Sequence, residues 1–190
     1  MLSRREFFST LLGRARKAAL EPLPDKPAPK PAPSTSPFAL HRPPGAVAEA
    51  DFLARCTRCG ECAAACPHQA IVLAPAQLRE SFRTPILLVG KNPCLHCPDM
   101  PCAAACVPRV LRADYPQKMG TARIDARLCL PSCTLCGERC PIPGAISHRE
   151  GRAAIDPETC TGCGVCLHVC PAPRKAVLLT PESDRPPWRK

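Results

Sequence analysis

Sixteen cysteines dominate the chemistry available to this 190-residue chain. They form four groups of four, and the last group, residues 160–170, reads C-x2-C-x2-C-x3-C and is followed by Pro171. This spacing is typical of bacterial sites that hold [4Fe–4S] clusters through thiolates. Three closely spaced cysteines can wrap one cube-shaped cluster, and the fourth leaves on a short helix that the proline ends.

The four groups share this chemistry but differ in spacing. Motif 1 (residues 56–66) and motif 4 (residues 160–170) are regular, motif 2 (residues 94–106) reads C-x2-C-x4-C-x3-C, and motif 3 (residues 129–140) opens with C-x3-C. We predict four [4Fe–4S] clusters, or three if motif 3, the least certain group, is empty. The predicted iron ligands are Cys56, Cys59, Cys62, Cys66, Cys94, Cys97, Cys102, Cys106, Cys129, Cys133, Cys136, Cys140, Cys160, Cys163, Cys166 and Cys170.

Zinc and disulfide bonds are the other uses of clustered cysteines. A four-cysteine zinc site usually presents two C-x2-C halves on separate turns, whereas each motif here is a triplet plus a fourth cysteine. The spacing therefore favours iron–sulfur clusters, with a zinc-binding interaction protein as the alternative. Disulfides would require strained bridges between neighbouring cysteines, and they are typical of small secreted domains. His96 and His168 lie between cysteines, but four thiols per motif leave no need for them as ligands.

The formal net charge of +10 has a simple explanation in the clusters themselves. Each oxidised cluster with its four thiolates adds roughly −2, so four clusters bring the net charge to about +2. We therefore predict no nucleic-acid binding, and no base-stacking aromatic residues lie among the basic ones. The sequence also shows no Ser/His/Asp set, paired carboxylates or phosphate-binding glycine loop, so we predict no catalytic residues and a protein that is not an enzyme. Tyr115 and Trp188 carry no readable chemistry.

Short elements must position the cysteines, because only 4% of the residues are aromatic and a large apolar core is not available. We predict an α+β fold made of two ferredoxin-like two-cluster units of short β-hairpins and short helices, preceded by a flexible Pro-rich spacer. A hairpin is indicated around Glu150-Gly151, where glycine permits positive φ. The predicted strands are residues 71–73, 85–89, 152–156 and 175–179.

Composition divides the chain into four segments. We predict a basic leader (residues 1–20), a Pro-rich linker (residues 21–44), a domain with the four motifs (residues 45–182) and a basic tail (residues 183–190). Nine prolines make the linker a semi-rigid extended spacer. No run of about 18 apolar residues is long enough to span a membrane.

The leader contains a twin-arginine pattern at residues 3–8. Its apolar stretch is short and is ended by Arg14, so we predict that the leader does not direct export and that the protein is cytoplasmic. Periplasmic localisation by twin-arginine export is the alternative. A short amphipathic helix in residues 1–20 would provide a contact with a partner or with a membrane surface.

Four motifs in this order resemble the ferredoxin-type accessory proteins of the periplasmic nitrate reductase (NapF and NapG types) and the similar MauM ferredoxins of methylamine utilisation. The resemblance covers about residues 42–180. The stretch of residues 42–56 looks NapG-like, and so does motif 2, which also resembles the second motif of four-cluster molybdoenzyme subunits. The leader is more like NapF types, which are cytoplasmic proteins implicated in maturation of the catalytic nitrate reductase subunit. The opening C-x3-C of motif 3 departs from the family pattern.

The resemblance implies a multi-cluster protein that carries electrons to or from a molybdoenzyme such as periplasmic nitrate reductase, or that assists its maturation. The implied partner is the molybdoenzyme catalytic subunit or another redox protein. The alternative is an exported electron-transfer subunit of the NapG or MauM type.

The pairing of the motifs is open to two schemes, because in two-cluster ferredoxins the fourth cysteine of one motif ligates the cluster of the other. The short connection between motifs 3 and 4 favours sequential pairing, of motif 1 with 2 and of motif 3 with 4. The shared regularity of motifs 1 and 4, and the nested arrangement implied by the molybdoenzyme resemblance of motif 2, favour nesting. We predict nesting: Cys170 joins Cys56, Cys59 and Cys62; Cys66 joins Cys160, Cys163 and Cys166; Cys140 joins Cys94, Cys97 and Cys102; and Cys106 joins Cys129, Cys133 and Cys136.

Overall fold

The computed structural model describes residues 40–190. The predicted leader (residues 1–20) and most of the predicted linker (residues 21–44) lie outside the described residues. Within residues 40–190, no helix is both long enough and apolar enough to cross a membrane.

The helices are short, and all but the first carry the third cysteine of a motif. Each of these four helices ends one or two residues before the fourth cysteine, so it positions the third and fourth cysteines of its motif. The helices in this part of the chain are α1 (Glu49–Arg55), α2 (Glu61–Ala64), α3 (Pro101–Ala104), α4 (Leu135–Glu138) and α5 (Val165–Val169), with a 3-10 helix at Ala76–Ser81.

The strands form three antiparallel pairs. They are β1 (Ile71–Leu73) with β2 (Pro85–Leu87), β3 (Gly120–Ile124) with β6 (Val177–Pro181), and β4 (Ile146–Arg149) with β5 (Arg152–Ile155). The predicted hairpin is confirmed, since β4 pairs with β5 and Gly151 has a φ of +73°. The four predicted strands are confirmed in place, but their bounds differ: the strand predicted at residues 85–89 ends at Leu87, the one predicted at 152–156 ends at Ile155, and the last begins and ends two residues later than expected. This is the predicted mixed α/β class of short helices and strands.

The same order of elements occurs twice along the chain. We call residues 40–118 the N-terminal half and residues 119–190 the C-terminal half. In each half, the segment before the first motif pairs with the segment after the second, through the Ala46–Leu111 bridge in one half and β3–β6 in the other. A two-stranded pair lies between the motifs of each half, and α2 packs on α3 as α4 packs on α5. Motif 1 is therefore a neighbour of motif 2, and motif 3 of motif 4.

The two halves have different apolar cores. The N-terminal half contains fully buried large side chains, among them Phe52 and Leu111. The C-terminal half is packed mostly around small residues, such as Ala122 and Ala153, together with Val177 and its own cysteines. Burial of a Phe or Leu side chain contributes about 1.5–3 kcal/mol, which alanine cannot match. The C-terminal half therefore has less apolar stabilisation of its own.

A buried arginine braces the N-terminal half. The Arg42 side chain is fully buried and is paired with the Glu49 carboxylate through two hydrogen bonds. Its Nη1 donates to the Thr84 hydroxyl (2.7 Å) and to the Pro85 carbonyl (2.9 Å), and its guanidinium lies 4.4 Å from the centre of the Phe52 ring. A buried charge is tolerated only with such full pairing, so Arg42 ties α1 to the start of β2.

The C-terminal tail returns to the N-terminal half. The Trp188 backbone N–H donates to Asp51 Oδ2 (2.9 Å), and its indole Nε1–H donates to the Pro108 carbonyl (3.2 Å). The Arg55 guanidinium lies 3.9 Å from the centre of the Trp188 ring, and the Tyr115 hydroxyl donates to the Pro187 carbonyl (2.8 Å). Tyr115 and Trp188, to which the sequence assigned no chemistry, thus hold the tail against α1 and motif 2.

Candidate metal centres

The sixteen cysteines line four cavities, with four cysteines at each. We number each site by the motif that supplies three of its cysteines. Including their open mouths, the cavities of sites 1 to 4 have volumes of about 300, 420, 340 and 310 Å³. The cysteines are Cys56, Cys59, Cys62 and Cys106 at site 1; Cys66, Cys94, Cys97 and Cys102 at site 2; Cys129, Cys133, Cys136 and Cys170 at site 3; and Cys140, Cys160, Cys163 and Cys166 at site 4.

Each half exchanges its fourth cysteines internally, so the prediction of nested pairing is wrong. Cys106 completes site 1, Cys66 completes site 2, Cys170 completes site 3 and Cys140 completes site 4. The physical reason is the packing of α2 on α3 and of α4 on α5, which brings sequential motifs together. The regular spacing shared by motifs 1 and 4 reports only the local loop shape, and it does not select the partner.

The irregular motif 3 keeps the same grouping as the others. Ser132, directly before its second cysteine, has a φ of +59° and donates its N–H to the Gly151 carbonyl (2.7 Å) at the β4–β5 turn. The residues directly before the second cysteine of the other motifs also have positive φ, so this turn is the same in regular and irregular motifs. In motif 2, Met100 has a φ of +41° and a buried side chain just before α3, at the position that Gly60 and Gly164 occupy in motifs 1 and 4. The insertions therefore leave these left-handed turns unchanged, and the cysteines stay in place.

Backbone amides point at several of the sulfurs. The Ala70 N–H donates to Cys66 Sγ (3.4 Å), the Leu111 N–H to Cys106 Sγ (3.4 Å), and the Ala122 N–H to Cys160 Sγ (3.5 Å). Such N–H groups stabilise negative charge on sulfur, and in iron–sulfur proteins they raise the reduction potential of the cluster. Cys66 and Cys106 are the fourth cysteines that motifs 1 and 2 exchange, and each accepts a hydrogen bond from an amide just after its own motif.

Burial and mutual repulsion disfavour the free thiolates. Burial, followed by the charges of neighbouring cysteines, raises the pKa of Cys62 and of Cys166 to about 12. Burial is also the main reason why the pKa of Cys94 rises to about 12 and that of Cys102 to about 11. Four thiolates at one site therefore need a cationic core to balance their charge, and binding that core must release protons.

The spread of the cysteines fits a multi-atom group better than a single ion. Among residues 40–190, no three His, Cys, Asp or Glu side chains come close enough to share one metal ion. The cysteines instead surround a cavity, and soft thiolate sets of this kind suit iron–sulfur clusters. The donor chemistry and the arrangement both fit a [4Fe–4S] group.

One contact near the sites was missed by sequence reasoning. His96, which is not needed as a ligand, lies with its Nε2 2.8 Å from the Thr161 hydroxyl and its Nδ1 3.3 Å from Gln117 Oε1. Burial lowers the pKa of His96, and the bond to Gln117 opposes that effect. The contact joins motif 2 to motif 4 across 65 positions of sequence, a separation at which spacing rules carry no signal.

Known iron–sulfur proteins are similar to this chain. Residues 55–110 match a family model described as a 4Fe-4S dicluster domain, and residues 151–172 match a 4Fe-4S binding domain. The first match spans motifs 1 and 2 together, in agreement with their exchange of cysteines. These matches and the sixteen cysteines support [4Fe–4S] clusters as the bound groups.

Relatives of similar length carry ferredoxin-type names. The methylamine utilization ferredoxin-type protein MauM of Methylorubrum extorquens is 35% identical over 159 residues, which are 74% of this chain and 72% of the relative. MauM of Paracoccus denitrificans is 37% identical over 74% of this chain and 71% of its own length. The ferredoxin-type protein NapG of Escherichia coli is 34% identical over 163 residues, 75% of this chain and 71% of the relative.

Proposed function

This chain belongs to the family of MauM and NapG ferredoxin-type proteins and is an iron–sulfur electron-transfer protein, and we propose that it passes electrons through four [4Fe–4S] clusters. The observation that carries this proposal is the grouping of all sixteen cysteines into four sets of four. Each half then acts as a two-cluster ferredoxin unit, with the exchanged fourth cysteines as ligands.

The protein itself supplies ligands and surroundings rather than catalysis. The clusters, when bound, take up and release single electrons. Around site 3, the residues other than cysteine are apolar, such as Ile124, Leu130 and Val177, so the thiolates are the only polar side chains that line it. We therefore propose a carrier without catalytic residues, whose burial and N–H groups set the potentials.

The partner is a second redox protein. From the resemblance of motif 2, we propose a molybdoenzyme catalytic subunit as the partner. The name of the MauM relatives connects those proteins with methylamine utilisation, so a redox protein of that process is the other candidate. A role in maturation of the partner is a second proposal, and it depends on the leader, residues 1–20.

Localisation distinguishes a cytoplasmic role in maturation from the role of an exported electron-transfer subunit. We propose cytoplasmic retention, because the apolar stretch of the leader is short; export of the NapG or MauM type is the alternative. A reporter fused behind residues 1–44 would test this, with an Arg4→Lys, Arg5→Lys fusion as the matched control. Export that requires the arginine pair would overturn retention and favour the exported subunit.

The cluster count is tested by anaerobic reconstitution of the full chain with iron and sulfide. We expect about 16 iron atoms per chain, four for each cluster, and about 12 if site 3 stays empty. Electron paramagnetic resonance (EPR) during stepwise reduction with dithionite should show one-electron reduction at each loaded site. Fewer than two redox-active clusters, or zinc in place of iron after expression in iron-rich medium, would contradict the proposal.

A further inference from the structure

Resting on the proposed function, we propose that the four sites form a linear electron path in the order site 1, site 2, site 4, site 3. The only step between the halves joins site 2 to site 4. Its bridge is the contact of Cys94 with Cys163, held in place by His96 and Thr161.

The first and last steps of the path lie within the halves. Sites 1 and 2 are neighbours because they share the motif 1 and motif 2 segments, each of which supplies cysteines to both sites. Sites 3 and 4 are neighbours for the same reason. These two steps follow from the exchange of Cys66 with Cys106 and of Cys140 with Cys170.

The step between the halves is carried by two cysteines that line different sites. The Cys94 backbone N–H donates to the Cys163 carbonyl (3.0 Å), so a cysteine of site 2 is joined to a cysteine of site 4 by a single hydrogen bond. Beside it, His96, which lines site 2, lies 2.8 Å from the hydroxyl of Thr161, which lines site 4. Among the described residues, no corresponding hydrogen bond joins the cysteines of sites 1 or 3 to the other half.

The junction is closely packed on both sides of this hydrogen bond. The Thr161 carbonyl accepts from the backbone N–H groups of Met119 (2.8 Å) and Gly120 (3.2 Å), at the point where the chain passes between the halves. A side chain at Gly164 would come within 2.6 Å of Val89 Cβ, so the two backbones approach as closely as glycine allows. The distance between sites 2 and 4 is therefore fixed by packing rather than by a flexible linker.

The order differs from the order of the motifs in the sequence. A path that followed the sequence would cross from site 2 to site 3, but site 3 is lined only by residues 124–136 and 170–177. Sites 1 and 3 are then the two ends of the path. One electron moving from a cluster at site 2 to a cluster at site 4 oxidises the first and reduces the second, with no bond made and no proton moved.

Magnetic coupling in the fully reduced protein tests the order, because neighbouring reduced clusters broaden each other's EPR signals. Removal of an inner site should leave one isolated cluster with a narrow signal, whereas removal of an end site should leave three coupled clusters. We expect the narrow signal in Cys163→Ser, at site 4, and its absence in Cys133→Ser, at site 3. The reverse pattern would overturn this order in favour of the sequence order.

Two substitutions that leave the ligands in place test the bridge. Thr161→Val removes the hydroxyl opposite His96 with little change of shape, and Thr57→Val is its control at the same position of motif 1. We expect weaker coupling between the halves in Thr161→Val alone, with the signals of both variants normalised to the iron content measured for each. Coupling unchanged in Thr161→Val would show that this pair does not hold the junction. Failure of wild type to load clusters would instead contradict the proposed function.

Discussion

The two halves of the molecule hold equivalent sets of cysteines by different means. In the N-terminal half, the fully buried Phe52 packs against the fully buried Arg42, and the returning tail adds Trp188. In the C-terminal half, small side chains such as Ala122 and Ala153 fill the space between cysteines. The same ligand geometry can therefore be supported either by protein packing or mainly by the bound groups.

The difference begins in the segments between the paired motifs. Residues 67–93 of the N-terminal half hold the β1–β2 pair and a 3-10 helix, and they carry Thr84 to the buried Arg42. Residues 141–159 of the C-terminal half are fewer and hold only the β4–β5 hairpin. We infer that the C-terminal half depends more on cluster binding for its folding free energy, since metal binding and folding are coupled.

The largest expected effect is the loss of a whole cluster from the less supported half. Sites 2 and 3 each have one buried cysteine, Cys102 and Cys136, whereas three cysteines are buried at sites 1 and 4, and of these two exposed sites only site 3 lies in the C-terminal half. We therefore expect an iron chelator to empty site 3 first, with about four irons released before the others, as one cluster requires. Iron release and EPR signals over time would measure this, and Cys170→Ser should accelerate it. First release from site 1 or site 2, both in the N-terminal half, would contradict the comparison.

Breaking the arginine brace should weaken the N-terminal half. Arg42→Met leaves the Glu49 carboxylate without its buried partner, at an expected cost of about 3 kcal/mol in unfolding free energy. The control is Arg127→Met, which removes a pair with Asp125 in which the arginine is 90% exposed, and it should lower stability far less because solvent screens an exposed pair. Anaerobic denaturant titrations followed by Trp188 fluorescence and near-UV circular dichroism would measure both. Equal costs would argue against the brace.

The close approach of the halves can be disturbed at one glycine. Gly164 has a φ of +89°, and an added Cβ would meet Val89, whereas Gly144 has a φ of +79° and nothing within 4 Å of the added atom. Gly144→Ala should cost roughly 1–2 kcal/mol for the left-handed conformation alone. Gly164→Ala should cost about 1–3 kcal/mol more because of the clash. Thermal unfolding of the loaded proteins would compare them, and similar losses would contradict the tight junction.

The smallest expected effect is a pH dependence at His41. Burial holds the pKa of His41 below its usual range of about 6.5, the Met119 backbone opposes this shift, and the charge of Arg185 adds to it. The unfolded chain therefore takes up the proton first as the pH falls below about 6.5, and stability decreases toward the lower folded-state pKa.

The His41→Gln variant removes this titration. The denaturation midpoint of wild type minus that of His41→Gln should be larger at pH 7.5 than at pH 5.5. Because wild type and the variant hold the same clusters, subtracting one midpoint from the other at each pH removes the effect of acid on the clusters. A difference that does not change with pH would show that His41 titrates normally in the folded protein.

The sequence by itself determined the local chemistry of this protein. Cysteines with two to four residues between them must lie on one loop and one helical turn, so the motifs, the short helices and the hairpin at Gly151 were readable from spacing and turn chemistry. The mixed α/β class and the iron–sulfur family followed from the same signals. All of these depend on interactions within about a dozen residues.

Only the tertiary structure decided which motifs are partners and how the halves meet. Motifs 1 and 4 look alike, yet Cys66 and Cys170 complete sites in different halves, because the packing of helices selects partners and local spacing does not. The contacts of Arg42, Trp188 and Thr161 join residues 42 to 137 positions apart, where each side chain has many alternative neighbours. Which of these neighbours a side chain contacts is determined by the free energy of the complete folded structure rather than by local sequence preference.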